Sequence, residues 1–258
     1  MRRDDALPAA AVAPTADAVW AALRDAASAP YRAAGRWPWH WARGKLAGDP
    51  VFRALLERGE LTARARVLDI GCGQGLVASL LQASADAGQC GDWPAAWPAA
   101  PSTRAYTGFE LMARDVARAR TALQALPLQP RFIHADMRHA AFPACDLVVV
   151  LDVLHYVDHA AQHAVLAGVR DALQASQGRL LLRIGDAGSR RGFAVSQWVD
   201  RAVTMARGHR VAPTFGRPLA AWVALLEALG FAVRAVPMSR GTPFANVLLV
   251  ADLGGRAR

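Results

Sequence analysis

The chain has 258 residues, 53% of them hydrophobic, and a formal net charge of +9. That size and apolar content suit one substantial α/β domain with a small appendage and exclude an extended disordered chain. The charge is carried almost wholly by arginine, with Lys45 the only lysine and no arginine run longer than two (Arg2-Arg3, Arg190-Arg191), which is too sparse for a nucleic-acid stripe. Residues 1–15 are rich in Ala and Pro. Thr15-Ala16-Asp17 caps a helix carrying Val19, Trp20 and Leu23, and Pro30 and Gly35 break it. An aromatic–basic segment follows, Arg36-Trp37-Pro38-Trp39-His40-Trp41-Ala42-Arg43-Gly44-Lys45. Asp49-Pro50 starts another helix with Phe52, Leu55 and Leu56 on one face.

From Arg66 the pattern alternates strand and helix, the mark of a parallel sheet. Strands are predicted over 66–70, 105–109, 131–135, 146–151, 179–184, 231–236 and 246–251, and helices over 76–84, 113–126, 160–173 and 219–229. The last two strands are joined by 237–243 with no helix, so they pair antiparallel. Two segments exceed this pattern. Residues 85–104, rich in Ala, Pro and Trp, read as a surface loop. Residues 185–218 read as a cap containing an amphipathic helix around 193–207. Cys72, Cys90 and Cys145 have no metal spacing and form no even set, which implies a reduced, cytoplasmic protein with no metal site. Asp4 and Asp5 stand where a signal peptide needs an apolar core, and no apolar run reaches about 18 residues, so no membrane span is expected.

The most informative stretch is Val67-Leu68-Asp69-Ile70-Gly71-Cys72-Gly73-Gln74-Gly75. A buried strand runs into a glycine-rich turn and then a helix. Such a turn offers main-chain N–H groups and a helix N-terminus to a nucleotide-like ligand. Leu76 stands where the dinucleotide fingerprint needs its last glycine. Asp69, just before the turn, would repel a pyrophosphate but suits a cationic amino-acid group. The segment resembles motif I of the class I S-adenosylmethionine (SAM)-dependent methyltransferases. The resemblance covers about Arg66 to Ala251. It implies an α/β three-layer sandwich with a mostly parallel seven-stranded sheet of order 3-2-1-4-5-7-6, an antiparallel last strand and an N-terminal helical extension. The implied division is 1–62 for the extension, a cofactor and substrate lid, and 63–258 for the SAM-binding domain with the cap 185–218.

The same resemblance places a cofactor site. Gly71, Cys72, Gly73 and Gly75 bring backbone to SAM, and Asp69 lies near its methionyl ammonium. Glu110 ends the second strand and accepts the ribose hydroxyls, with Leu111 after it. Glu110 lies 41 positions beyond Asp69; without the 20 residues 85–104 the gap is 21, close to the usual ~20 between glycine motif and acid. Asp136 and Met137 follow the third strand beside the adenine, and Asp152 and Val153 follow the fourth. His155 is either a general base or a packing residue beside the cofactor. Acceptor-side candidates are Trp37, Trp41, Arg43, Lys45, Tyr156, Arg183 and Trp198.

The activity implied is methyl transfer to a small-molecule or carrier-bound acceptor, giving S-adenosylhomocysteine (SAH). A narrower similarity, carried by Arg36–Phe52 and the Trp-Pro insertion, is to methyltransferases of bacterial aryl-polyene pigment synthesis. It points to an aromatic acceptor, bacterial secondary metabolism and an acidic acyl carrier protein. Two alternatives stand beside it. An NAD(P)-dependent oxidoreductase is disfavoured by Asp69 and the missing glycine. RNA methylation is set back by the scattered arginines, and Asp152-Val153-Leu154-His155 in place of an Asn/Asp-Pro-Pro-aromatic motif disfavours its amino-methylating families while leaving ring-carbon or ribose methylation open.

Overall fold

The computed structural model describes residues 15–186, 214–238 and 246–254. Helix α1 (Ala16–Ser28) starts where Thr15 Oγ1 accepts from the Ala18 N–H at 3.3 Å. Its Val19, Trp20, Leu23 and Ala27 face inward at helical spacing. A 3₁₀ turn, Ala29–Ala34, buries Tyr31 completely. The aromatic–basic segment is itself helical: α2 spans Arg36–Gly48. Gly35 supplies the left-handed φ of 115° that precedes it, and Pro38 is tolerated because it sits in the first turn. Helix α3 (Pro50–Glu57) has Asp49 as its N-cap, accepting from the Val51 N–H at 3.1 Å.

The strands are β1 (Arg66–Ile70), β2 (Ala105–Glu110), β3 (Arg131–His134), β4 (Leu147–Leu151), β5 (Arg179–Gly185), β6 (Phe231–Pro237) and β7 (Asn246–Leu253). They form one sheet of order β3-β2-β1-β4-β5-β7-β6, with β1 to β5 parallel and β7 antiparallel to both β5 and β6. This is the expected order. Helices α4 (Leu76–Cys90), α5 (Ala113–Leu123), α6 (His159–Leu173) and α7 (Leu219–Ala228) cover it. Alternation along β4 makes the layers: Leu147 and Val149 pack in one core with α1 to α5, while Val148 and Val150 pack in the other with α6 and α7. The extension therefore shares one core with the sheet. Among the described residues no helix is long and apolar enough to cross a membrane.

The insertion 85–104 departs from the predicted surface loop. Its first residues continue α4 to Cys90, where Gly91 ends it at φ 80°. The rest packs as a strap. Trp97 is 9% exposed, Trp93 meets it edge-on at 5.4 Å, and Trp93 Nε1 donates to Pro98 O at 2.8 Å. Thr62 Oγ1 donates to Ala99 O at 2.8 Å. Apolar indoles supplied the burial that a solvated loop would have wasted. The predicted helix at 193–207, and most of the cap, lie outside the described residues.

Candidate active site

The parallel strands end on one edge, and that edge gathers the predicted acids. The glycine turn hangs from β2: the Gly71 and Cys72 N–H groups both donate to Phe109 O, at 2.8 and 3.0 Å. Gly71, Gly73 and Gly75 have φ of 74°, 55° and 79°, the region that favours glycine. A Cβ on Gly71 would lie 2.4 Å from Val153 Cγ1, and one on Gly75 would lie 2.6 Å from the Phe132 ring. Among the described residues a Cβ on Gly73 would meet nothing within 4 Å. The turn is thus closed against the protein at two glycines and open at the third. Cys72 is 8% exposed and its sulfur packs on Gly108, so it offers the site its main chain rather than its thiol.

Glu110 binds the turn directly. Its Oε2 accepts from the Gly73 N–H at 2.9 Å and its Oε1 from the Met112 N–H at 2.8 Å. Each oxygen keeps a second lone pair for a ligand hydroxyl. Beside it, Leu111 is 59% exposed. Asp136 closes a tight turn on Arg138, accepting from its N–H at 2.9 Å and from its guanidinium at 2.5 to 3.1 Å. The Arg138 bonds hold the Asp136 carboxyl below the usual carboxylate range. Met137 packs against the α6 side of the core.

Asp69 is buried at this edge. It is 3% exposed and lies under the turn, where Tyr106 Oη donates to it at 2.5 Å. Burial pushes its pKa up to about 7; the Tyr106 bond opposes this and the Glu110 charge adds to it. Asp152 is also engaged. Its backbone is left-handed at φ 58°, and both oxygens pair with Arg183, one of them with Nε at 2.8 Å. Val153 follows and lies across Gly71.

On the acceptor side α2 carries two of the predicted indoles. Trp37 is 53% exposed and stacks on Trp41, with centroids 6.5 Å apart. The Arg118 guanidinium lies 4.6 Å from the Trp37 ring centroid. Arg118 reaches Asp115 at 3.4 Å, and Asp115 accepts from Gln74 of the glycine turn at 3.4 Å. The indole pair is therefore joined to the turn by a short polar chain. Arg43 instead pairs with Asp25 of α1 at 2.7 Å, and Lys45 with Asp49 at 2.7 Å. Arg183 is 3% exposed and clamped by Asp49 as well as Asp152. Half-buried His155 has its ring 4.1 Å from that of Tyr156, which is 41% exposed. The His155 carbonyl accepts from Phe215 N at 2.8 Å, which ties the end of the cap to this turn. Trp198 lies outside the described residues.

Three residues that hold the site carry no motif. Tyr31 Oη donates to Gln74 O at 2.9 Å, pinning the extension to the glycine turn. Buried Gln162 donates to Leu154 O, Val157 O and Phe215 O at 3.3, 3.1 and 2.7 Å, tying the His155 turn to the cap. Asp49 reads locally as a helix cap only. Partners 43, 53 and 134 positions away leave no local signal.

A family model described as "Methyltransferase domain" matches residues 39–236. No curated protein matches the sequence. Among solved structures, an O-methyltransferase family protein from Burkholderia thailandensis is 17% identical, with TM-score 0.58, over 86% of this chain and 61% of its own. The magnesium protoporphyrin IX methyltransferase of Synechocystis PCC 6803 with bound SAH is 20% identical, with TM-score 0.54, over 86% of this chain and 92% of its own. The pyocyanin biosynthetic protein PhzM is 20% identical, with TM-score 0.58, over 84% of this chain and 58% of its own. The strand order separates the fold from the dinucleotide-binding one, whose sixth strand continues the sheet as 3-2-1-4-5-6. The family match covers most of the chain, which belongs to the class I SAM-dependent methyltransferases.

Proposed function

We propose that the enzyme methylates an aromatic small molecule, free or presented on an acidic carrier protein. The observation that carries this reading is the exposed Trp37–Trp41 stack, joined to the glycine turn through Arg118 and Asp115. An indole face that is both exposed and fixed suits a flat apolar ring. The similar structures named above, an O-methyltransferase family protein, a porphyrin methyltransferase and a pyocyanin biosynthetic protein, support a small-molecule acceptor. A net charge of +9 favours an anionic acceptor or carrier.

The cofactor residues suit SAM. The open face of Gly73, with the main chain of Gly71, Cys72 and Gly75, would border the methionyl part. Glu110 would accept the ribose hydroxyls. Leu111 and Met137 would flank the adenine, and Asp136 would accept from its amino group. Asp152 and Val153 would close the turn from the β4 side, with Asp69 acting from below. When bound, SAM supplies an electrophilic sulfonium methyl. The chain's own contribution is to bind, align and exclude water, which supplies most of the rate effect in such transfers. A phenol or alcohol acceptor also loses a proton, and His155, beside exposed Tyr156, would take it.

Calorimetry with SAH and NADH, followed by a methyl-transfer screen over phenolic and other aromatic acids, tests the reading. SAH should bind at low micromolar affinity or tighter, and NADH should not bind. Transfer to aliphatic but not aromatic acceptors would overturn the aromatic assignment. With an acceptor in hand, His155→Ala should retain SAH binding and lose turnover. Normal turnover would leave His155 as packing.

A further inference from the structure

Asp49 does two things at once. Its Oδ1 accepts from the Val51 N–H at 3.1 Å, capping α3. Both oxygens also face Arg183, at 2.5 Å from Nη1 and 2.7 Å from Nη2. Arg183 stands in β5 opposite Leu151, the last residue of β4, and its other edge grips Asp152. Asp152 has the left-handed φ of 58°, which a residue with a Cβ adopts at a cost and keeps only when its surroundings hold it. The left-handed step turns the chain so that Val153 lies across Gly71, filling the space a Cβ there would need. A continuous line of contacts thus runs from the extension to the glycine turn: Asp49, Arg183, Asp152, Val153, Gly71.

We propose that Asp49 is a positioning residue for the cofactor site, acting through Arg183 and Asp152 to hold Val153 against the glycine turn. The proposal rests on the SAM site assigned above. Arg183 is buried, and a buried guanidinium facing one carboxylate would have half of its donor fork unmatched. Asp49 completes the fork. Without it, Arg183 must recruit water or shift, and Asp152 loses the rigid partner that stabilises its backbone. Lys45, 2.7 Å from Asp49 at 40% side-chain exposure, brings the four-charge cluster to neutrality. The cap of α3 needs only an acceptor oxygen, whereas the clamp needs a two-oxygen anion. The two roles therefore separate by substitution.

Asp49→Ser keeps a capping oxygen and removes the clamp. SAH calorimetry on the folded variant should show affinity weakened by roughly tenfold to a hundredfold, the range of a lost charge-assisted hydrogen bond. Backbone amides of 152–157 should exchange faster in the SAH-free protein. Asp49→Glu, which restores the anion, should recover most of the affinity. If Asp49→Ser folds poorly, Arg183→Lys makes the same prediction, since lysine keeps the charge but cannot span two carboxylates. Wild-type affinity and exchange in either folded variant would overturn the inference alone. A wild-type protein that does not bind SAH would overturn the cofactor assignment and this inference with it.

Discussion

Glu110 joins two tasks that the sequence shows as one. Its position 21 residues past Asp69, once residues 85–104 are set aside, is where the family resemblance expects a ribose acceptor. The structure adds that it accepts from the Gly73 and Met112 N–H groups. Glu110→Ala should weaken SAH binding by roughly 1–3 kcal/mol and leave the Gly73 N–H without its acceptor; an unchanged calorimetric affinity would refute the role. Asp69 behaves differently because it is buried. A carboxyl titrating near 7 in the folded state and near 3.8 unfolded holds its proton more tightly when folded. The folded state then binds more protons between those values, so stability falls as pH rises from about 4 to about 7 and is flat above. Asp69→Asn removes that dependence. Its unfolding free energy relative to wild type should rise by roughly 2–3 kcal/mol between pH 5 and pH 7.5. Denaturant melts at the two pH values measure this, and a pH-independent difference would show that Asp69 titrates normally. Asp69 was legible as a motif member, but its burial beneath Tyr106 was not, because the two are 37 positions apart.

Elements show where periodicity suffices and where it does not. The strands were legible because a fully apolar run such as Leu147-Val148-Val149-Val150-Leu151 buries both faces. Helix α2 was not, since Trp37, Pro38, Trp39, His40 and Trp41 obscure any 3.6-residue pattern, and only Gly35 and tertiary packing settle its start. The insertion was legible as an addition and not as a packed strap. Its placement makes a prediction. Thr62, just after α3, donates to Ala99 O, and Arg104 and Ala105 both donate to Ala65 O, before β1. The strap therefore sits at the amino ends of the strands, away from the glycine turn. Trp97→Ala should cost about 3 kcal/mol of stability and leave SAH affinity within twofold, checked by thermal melts and calorimetry. The glycine turn makes the opposite one. Gly71→Ala would force a Cβ to within 2.4 Å of Val153 at a φ of 74°, so it should abolish SAH binding even where the protein folds.

At the scale of the molecule, the extension and the sheet share one hydrophobic core. Val19, Leu23, Tyr31, Leu46 and Leu55 share a core cluster with Val67, Leu80, Leu123 and Val149. A chain beginning at residue 63 would expose that face of the sheet. It should fail to give a cooperative melt, and a sharp transition like that of the whole chain would show that the extension is dispensable. By itself the sequence determined the α/β class, the glycine turn after the first strand and the acids at the strand ends. Each is written in contiguous residues whose spacing follows from strand and helix geometry. Tertiary structure alone decided that Asp69 is buried against Tyr106 and that Arg183 is clamped between Asp49 and Asp152. It also decided that Tyr31 and Asp49 tie the extension to the site. Those outcomes depend on partners 37 to 134 positions away, which only chain closure brings within hydrogen-bonding distance.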